Sequence, residues 1–439
     1  MVSLRPFFLF LLICFQIHQA CSNDRKTYIV YMGDHPKGID PATLPSLHTT
    51  MAQNVLGSDF EPGAILHSYK KSFNGFVVKL TEDEAETLAG KSKSFSDEGF
   101  GPPPKKWKGS CHNFTCNNKI IGARYFNIEG SYSKKDIKDP TDVNGHGTHC
   151  SSTVAGNVVN SVSLQGYASG TARGGVPSAR IAMYKVCWET GCDQAGILAA
   201  FDEAIHDGVD VISVSLGSTQ VVVVPYFRNG IDIGSFHAMK RGIFTSNSAN
   251  NLGPNILTMT NFAPWLLSVA ASTFGRKFVT KVQLGNGAIY EGATINTFDL
   301  KRKMFPIIFA RDIPNTAGGF NSSQSRLCSK DSVDKQAVKG KIVLCEGFVS
   351  ASDVGFFSGA VGIIFGDTYP QDSPFIFALP TTLLSLWNFR EIQYYMKSTR
   401  NPTATIFKSE EVEDSLSPYI ASFSSRGPNP ITLNTLKVT

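Results

Sequence analysis

The sequence predicts an α/β protein: a parallel sheet with helices on both faces, preceded by a ferredoxin-like α+β domain and carrying a β-rich insert. Three observations point there. Between residues 181 and 271, apolar strands alternate with helices, the signature of a parallel sheet covered on both faces. Between residues 28 and 90 the order is strand, helix, strand, strand, helix. From about residue 284 to 408 helices become few and Gly and Pro frequent. A chain of 439 residues holds about three domains by length. With 42% hydrophobic and 18% charged residues it can bury large cores. The net charge of +5 is mild, and the one basic cluster, Lys105, Lys106 and Lys108, adjoins Pro102 to Pro104. It reads as a solvated loop, so nucleic acid is not an expected partner.

Residues 1–22 read as a signal peptide. Arg5 gives the positive end, Pro6 to Ile17 is apolar but too short to span a bilayer, and Ala20-Cys21-Ser22 offers small residues for cleavage. No later segment holds eighteen uncharged apolar residues, so a secreted product without a membrane anchor is expected. In that oxidising setting Cys111/Cys116, Cys187/Cys192 and Cys328/Cys345 suit short-loop disulfides, although spacing alone does not fix connectivity. Cys150 is left alone. No spacing matches a metal site, and no cofactor is implied. Sequons at Asn113 and Asn321 are glycosylation candidates if exposed.

Residues 23–90 form the first domain, with strands at 28–32, 65–70 and 73–80 and helices at 44–56 and after Thr81, where Glu84 completes a capping box. A ferredoxin-like sheet wants one more strand, which the sequence does not supply before Gly101-Pro-Pro-Pro104. Residues 91–283 form the first part of the main domain, with strands at 181–186, 209–215, 243–248 and 266–271. Its helices are 195–206, with Ile197, Phe201, Ala204 and Ile205 on one face, and 230–240. Residues 284–408 are the insert, and 409–439 return to the main domain. Ligands bind such sheets off the carboxyl ends of the strands, where Ser213 to Gly217 and Ser248 to Pro254 lie.

The most specific stretch is Asp142-Val-Asn-Gly-His-Gly-Thr-His-Cys150. Glycines on both sides of His146 let a reactant approach its ring. The small residues after it predict a helix beginning there, whose dipole disfavours a charged imidazole and leaves it available as a base.

Taken in order, this stretch, Val214-Ser-Leu-Gly217 and Ser248-Ala-Asn-Asn-Leu-Gly-Pro254 resemble subtilisin-like serine proteases, most closely the plant, cucumisin-like branch. Gly170 to Pro177, Ala182 to Trp188, Trp265 to Thr273 and Ser422 to Asn429 read the same way. The resemblance implies His146 as general base and Asn251 as oxyanion-hole side chain. It implies Ser215, Leu216 and Gly217 as the edge that pairs with an extended polypeptide substrate. Tyr28 to Gly33 and Ser72 to Phe76 resemble the family's inhibitory propeptide. Gly340 to Cys345 and Gly359 to Phe365 resemble its protease-associated insert, a substrate-access or homodimer-contact module. An extracellular, cell-wall location follows from the same resemblance.

The sequence departs from the family in three ways. Asn250 and Leu252 stand where glycines are usual, and Asn is the next residue type to tolerate a left-handed conformation. No Asp-Thr-Gly or Asp-Ser-Gly is present, and neither Gly147-Thr148 nor Gly170-Thr171 precedes a serine. The triad Asp and Ser are therefore missing from these residues, and neither Asp97 nor Asp142 replaces the acid. The expectation is a truncated serine endopeptidase, inactive as this polypeptide. The alternative is a catalytically dead homologue that binds proteases or peptides. Cys150, four residues after His146 and so on one helical face, offers a weaker, cysteine-based chemistry.

Overall fold

The computed structural model describes residues 25–31, 41–56, 60–69, 75–81, 92–134, 136–164, 166–347, 359–367, 372, 374–377 and 379–435. The chain divides into two compact units, residues 1–209 and 210–439.

The first unit opens with β1 (Lys26–Tyr31), helix α1 (Leu44–Leu56), β2 (Ile65–Tyr69) and β3 (Gly75–Leu80). They form an antiparallel sheet in the order β1-β3-β2. Phe76, Val78 and Leu80 follow the two-residue strand period and are buried with Ala52 of α1 and Phe60. The ring of buried His48 stacks on Phe76 at 5.1 Å. The expected helix after Thr81 and its capping box lie outside the described residues.

The rest of the unit contains β4 (Ile120–Tyr125), α2 (His146–Ala155), β5 (Val159–Leu164), β6 (Tyr167–Ala172), β7 (Ile181–Lys185), the short strands β8 (Cys187–Trp188) and β9 (Gly191–Cys192), and α3 (Gln194–Asp207). Strands β4 and β7 run parallel, as alternation with helices requires. Asp193 caps α3 by accepting from the Gly196 N–H, and Gly208 closes it in the left-handed conformation. The helix buries Ile197, Ala200, Phe201 and Ala204; Ile205, expected on that face, is only half buried. On the other side of the sequence signal stands Lys119, a fully buried cation. Its ammonium donates to the Pro177 and Ala179 carbonyls and lies 4.7 Å from the Phe100 ring centroid. Burial, and then the nearby Arg180 charge, lower its pKa.

The second unit begins with β10 (Val211–Val214), α4 (Gly230–Lys240), β11 (Phe244–Ser248) and β12 (Leu267–Val269). The three strands pair in parallel in that order. Then come β13 (Arg276–Leu284), β14 (Ile289–Gly292), β15 (Phe305–Phe309), β16 (Ile342–Glu346), β17 (Gly362–Asp367), β18 (Thr381–Ser385), α5 (Leu386–Ser398), β19 (Thr403–Ile406) and β20 (Glu410–Glu413). All eight strands among these join one sheet, with two apolar cores. One gathers Leu284, Leu344, Ile364, Leu384, Phe389 and Ile406, and the other Val343, Ile363, Phe365 and Phe377. Strand β13 is shared: its first half pairs with β20 and its second with β14 and β19.

All three cysteine pairs suggested by spacing are joined as disulfides, and Cys150 is free. Among the described residues no helix is long and apolar enough to cross a membrane.

Candidate functional site

His146 is the first residue of α2, where the sequence placed it. Gly145 before it takes a left-handed φ of 93°, which a glycine adopts without penalty. The turn is held by Asp142 rather than by a capping side chain at 145. One carboxylate oxygen accepts from the Asn144 and Gly145 N–H groups at 3.1 and 2.8 Å. The other accepts from the Thr148 N–H at 2.7 Å and its hydroxyl at 2.8 Å. Asp142 therefore satisfies helix amides that the helix itself leaves without partners.

Partial burial raises the Asp142 pKa, but the hydrogen bonds from Thr148, Gly145 and Asn144 outweigh it and hold the carboxyl below its ordinary value. A depressed folded value means a stabilising contribution that is fully present above the unfolded value of about 4. It is lost as pH falls through the folded value. Asp142→Asn is expected to flatten the acid limb of the unfolding midpoint against pH, and Asp142→Ala to cost about 1–2 kcal/mol in denaturant titrations.

The His146 ring is exposed. Its Nε2 lies 3.6 Å from the Cys150 Sγ, one helical turn on, so the predicted shared face exists. The thiol is half buried rather than packed away in apolar surroundings. Among the described residues no carboxylate bonds to the His146 ring, and no group of three or more His, Cys, Asp or Glu could hold a metal ion. Asp97, which the sequence left without a catalytic role, accepts from the Asn118 N–H at 3.0 Å.

The other predicted residues lie in the second unit. Ser215, Leu216 and Gly217 follow β10 directly, and Asn250 and Asn251 follow β11, its parallel neighbour, with Val214 opposite Asn247. Both segments thus leave the carboxyl ends of adjacent parallel strands. Asn250 has a φ of 86°, the left-handed conformation for which Asn substitutes for Gly. Its side chain ties the two segments together: Nδ2 donates to the Ser218 carbonyl at 2.7 Å, and Oδ1 accepts from the Asn251 N–H at 2.8 Å. The Asn251 side chain is left exposed.

Gly217 is required by this contact, since a Cβ there would fall 2.6 Å from Asn250 Oδ1. Gly217→Ala is expected to break the Asn250–Ser218 bond and cost about 1–3 kcal/mol, read from the shift in denaturation midpoint.

Sequence reasoning missed Asn261. It is buried, with a φ of 54°, and its Nδ2 donates to the Leu216 carbonyl at 2.7 Å and the Ser248 carbonyl at 3.0 Å. It fixes the edge segment against the end of β11, a role with no local signal in the sequence. The returning stretch near 425 supports the same loop from beneath: Ser425 Oγ accepts from the Leu252 N–H, and the Ser425 N–H donates to the Asn250 carbonyl. The sequon residues Asn113 and Asn321 are both exposed.

Comparison with known proteins adds the family. The chain is 39% identical to the subtilisin-like protease SBT4.3 of Arabidopsis thaliana over 490 residues, covering 98% of this chain and 65% of the relative. It is 40% identical to SBT4.4 of the same plant, covering 94% and 62%. The chain thus spans just under two thirds of the length of these relatives. The 490-residue match to SBT4.3 also exceeds this chain's 439 residues, so the relative carries residues inside the matched stretch that have no counterpart here. Among solved structures, sphericase aligns over 35% of this chain and 47% of its own, at 26% identity and a TM-score of 0.27. The model of the subtilase family, peptidase S8, matches residues 51–437, and the chain belongs to that family of serine proteases.

Proposed function

We propose that this chain is a secreted subtilisin-like serine endopeptidase by lineage, carrying the general base, the oxyanion donor and the substrate edge of the reaction but not its nucleophile. The observation that carries this is that Ser215–Gly217 and Asn250–Asn251 leave the ends of adjacent parallel strands, with the Asn250 side chain donating to the Ser218 carbonyl just beyond the first segment. An extended polypeptide adds to Ser215–Gly217 as a further strand. The free Asn251 amide then donates to the oxygen that becomes negative as the scissile carbonyl is attacked. His146 takes the proton from the attacking hydroxyl and returns it to the leaving amine. That hydroxyl and the carboxylate that would orient His146 belong to motifs the sequence does not contain.

On this reading residues 1–22 direct secretion to the plant cell wall and Asn113 and Asn321 are glycosylated. The β1–β3 domain within residues 23–90 is the inhibitory propeptide. The β-rich part, residues 284–408, is the protease-associated insert, open to substrate access or homodimer contact. No nucleic acid, cofactor or membrane partner is required.

The test is restoration. The segments carrying the family's Asp and Ser motifs are grafted in register from an active plant subtilase, and the hybrid is expected to cleave its own propeptide and digest unfolded protein. The second reading, a catalytically dead homologue that binds proteases or peptides, is what the same test separates from the first. A hybrid that folds and is secreted yet stays inert, even with Asn250 and Leu252 changed to Gly, decides for it.

A further inference from the structure

In the first unit a shallow cavity of about 660 Å³ opens beside the loop closed by the Cys111–Cys116 disulfide. Asn113 forms part of the lining. So do the rings of Tyr125, Phe126 and Tyr132, with Asn127 and His112 adding an amide and an imidazole. Asn113-Phe114-Thr115 is a sequon, so the residue that would carry a glycan stands in the wall of a cavity of aromatic and amide groups.

We propose that this cavity seats the proximal N-acetylglucosamine residues of a glycan on Asn113, so that the chain binds its own carbohydrate. The inference rests on the secretory reading above. A pyranose ring presents an apolar C–H face and an edge of hydroxyl and acetamido groups. Tyrosine rings, amphipathic and hydrogen-bonding at their tips, match the first, with the Lys138 ammonium 4.5 Å from the Tyr132 ring centroid. For the second, Asn127 offers Oδ1, its Nδ2 donating to the Ser131 carbonyl, and His112 offers Nδ1, its Nε2 lying 3.1 Å from Ser110 Oγ.

Both walls are fixed. Tyr125 and Tyr132 meet Trp188 edge-on, at interplanar angles of 77° and 84°, and the Trp188 indole N–H donates to the Phe126 carbonyl at 2.8 Å. Opposite, the His112 N–H donates to the Ala123 carbonyl and the Asn117 N–H to the Ile120 carbonyl, clamping the disulfide loop along β4. A sugar attached at Asn113 is therefore presented to the rings at high effective concentration, and weak contacts suffice to hold it.

The experiment secretes the full chain from plant cells. The folded protein is digested with an endoglycosidase that cuts between the two core N-acetylglucosamines, and release at Asn113 and Asn321 is followed by peptide mass spectrometry. Release at Asn113 is expected to be at least about tenfold slower than at Asn321, and to become equal after denaturation and in Tyr132→Ala. Independently of that variant, amide exchange across residues 110–126 is expected to rise in Asn113→Gln and not in Asn321→Gln. Equal release from folded wild type with both sites occupied overturns the seat and leaves the secretory reading standing. So does slow release that persists in Tyr132→Ala, or exchange indifferent to Asn113→Gln. A secreted chain bare at both sequons overturns the inference together with the glycosylation it rests on.

Discussion

Purified residues 23–439 are expected to leave a serine-directed fluorophosphonate unreacted and general peptide substrates uncut. Loss of the nucleophile alone costs about 10⁶ in turnover and loss of the orienting Asp about 10⁴, in a strongly non-additive way. The residual catalysis that survives such losses comes from substrate binding and the oxyanion hole. One donor of that hole is ordinarily the nucleophile's own N–H, which is missing with it. His146 has the right place at the start of α2, but its ring meets Cys150 rather than a serine hydroxyl or a carboxylate among the described residues. Gel fluorescence after labelling checks this directly. A labelled band that disappears in His146→Ala would mean that some serine of this chain is activated, and the expectation would fail.

In the restored hybrid, Asn251→Ala is expected to lower kcat by about 10²–10³ with KM nearly unchanged. The Asn251 side chain is exposed and uncommitted, while its neighbour Asn250 spends both side-chain ends on the Ser218 carbonyl and the Asn251 N–H. Removing the Asn251 amide therefore takes away a donor to the developing charge and leaves the loop in place. Asn250→Ala is different. It frees the Ser218 carbonyl next to the proposed substrate edge and puts a poorly tolerated residue at a φ of 86°, so KM should rise as well. Steady-state kinetics on one peptide separates the two; equal effects on kcat and KM from both variants would deny Asn251 its specific role.

What could be read from the sequence was what local chemistry writes. The Gly-His-Gly spacing announces a turn into a helix, and the helix starts at His146. The apolar run at 209–215 and its successors announce parallel strands, and β10, β11 and β12 pair in parallel. Asn250 is legible for the same reason, since few residue types accept its backbone conformation. Asn261 was not, because its partners Leu216 and Ser248 are 45 and 13 residues away and nothing local distinguishes it from any loop asparagine. The buried Lys119 is a second case. Lysines are rarely fully buried, and only the carbonyls of Pro177 and Ala179, some 60 residues on, make that position tolerable. The polar cluster in which Tyr184 and Arg124 both bind the Asp207 carboxylate is likewise assembled from three elements, β4, β7 and α3.

The shared strand β13 has a consequence for how such a chain can change. Arg276 pairs with Glu413, and the Asp414 N–H donates to the Gly275 carbonyl, so the chain enters and leaves the large sheet at one doorway. Just outside that doorway Ser272 bridges Ile420 and the Thr273 N–H reaches the Tyr419 carbonyl, and beyond them the Ala271 N–H donates to Ser424 Oγ. The roughly 140 residues inside that doorway begin and end at neighbouring points, so a change of length among them need not move the paired ends.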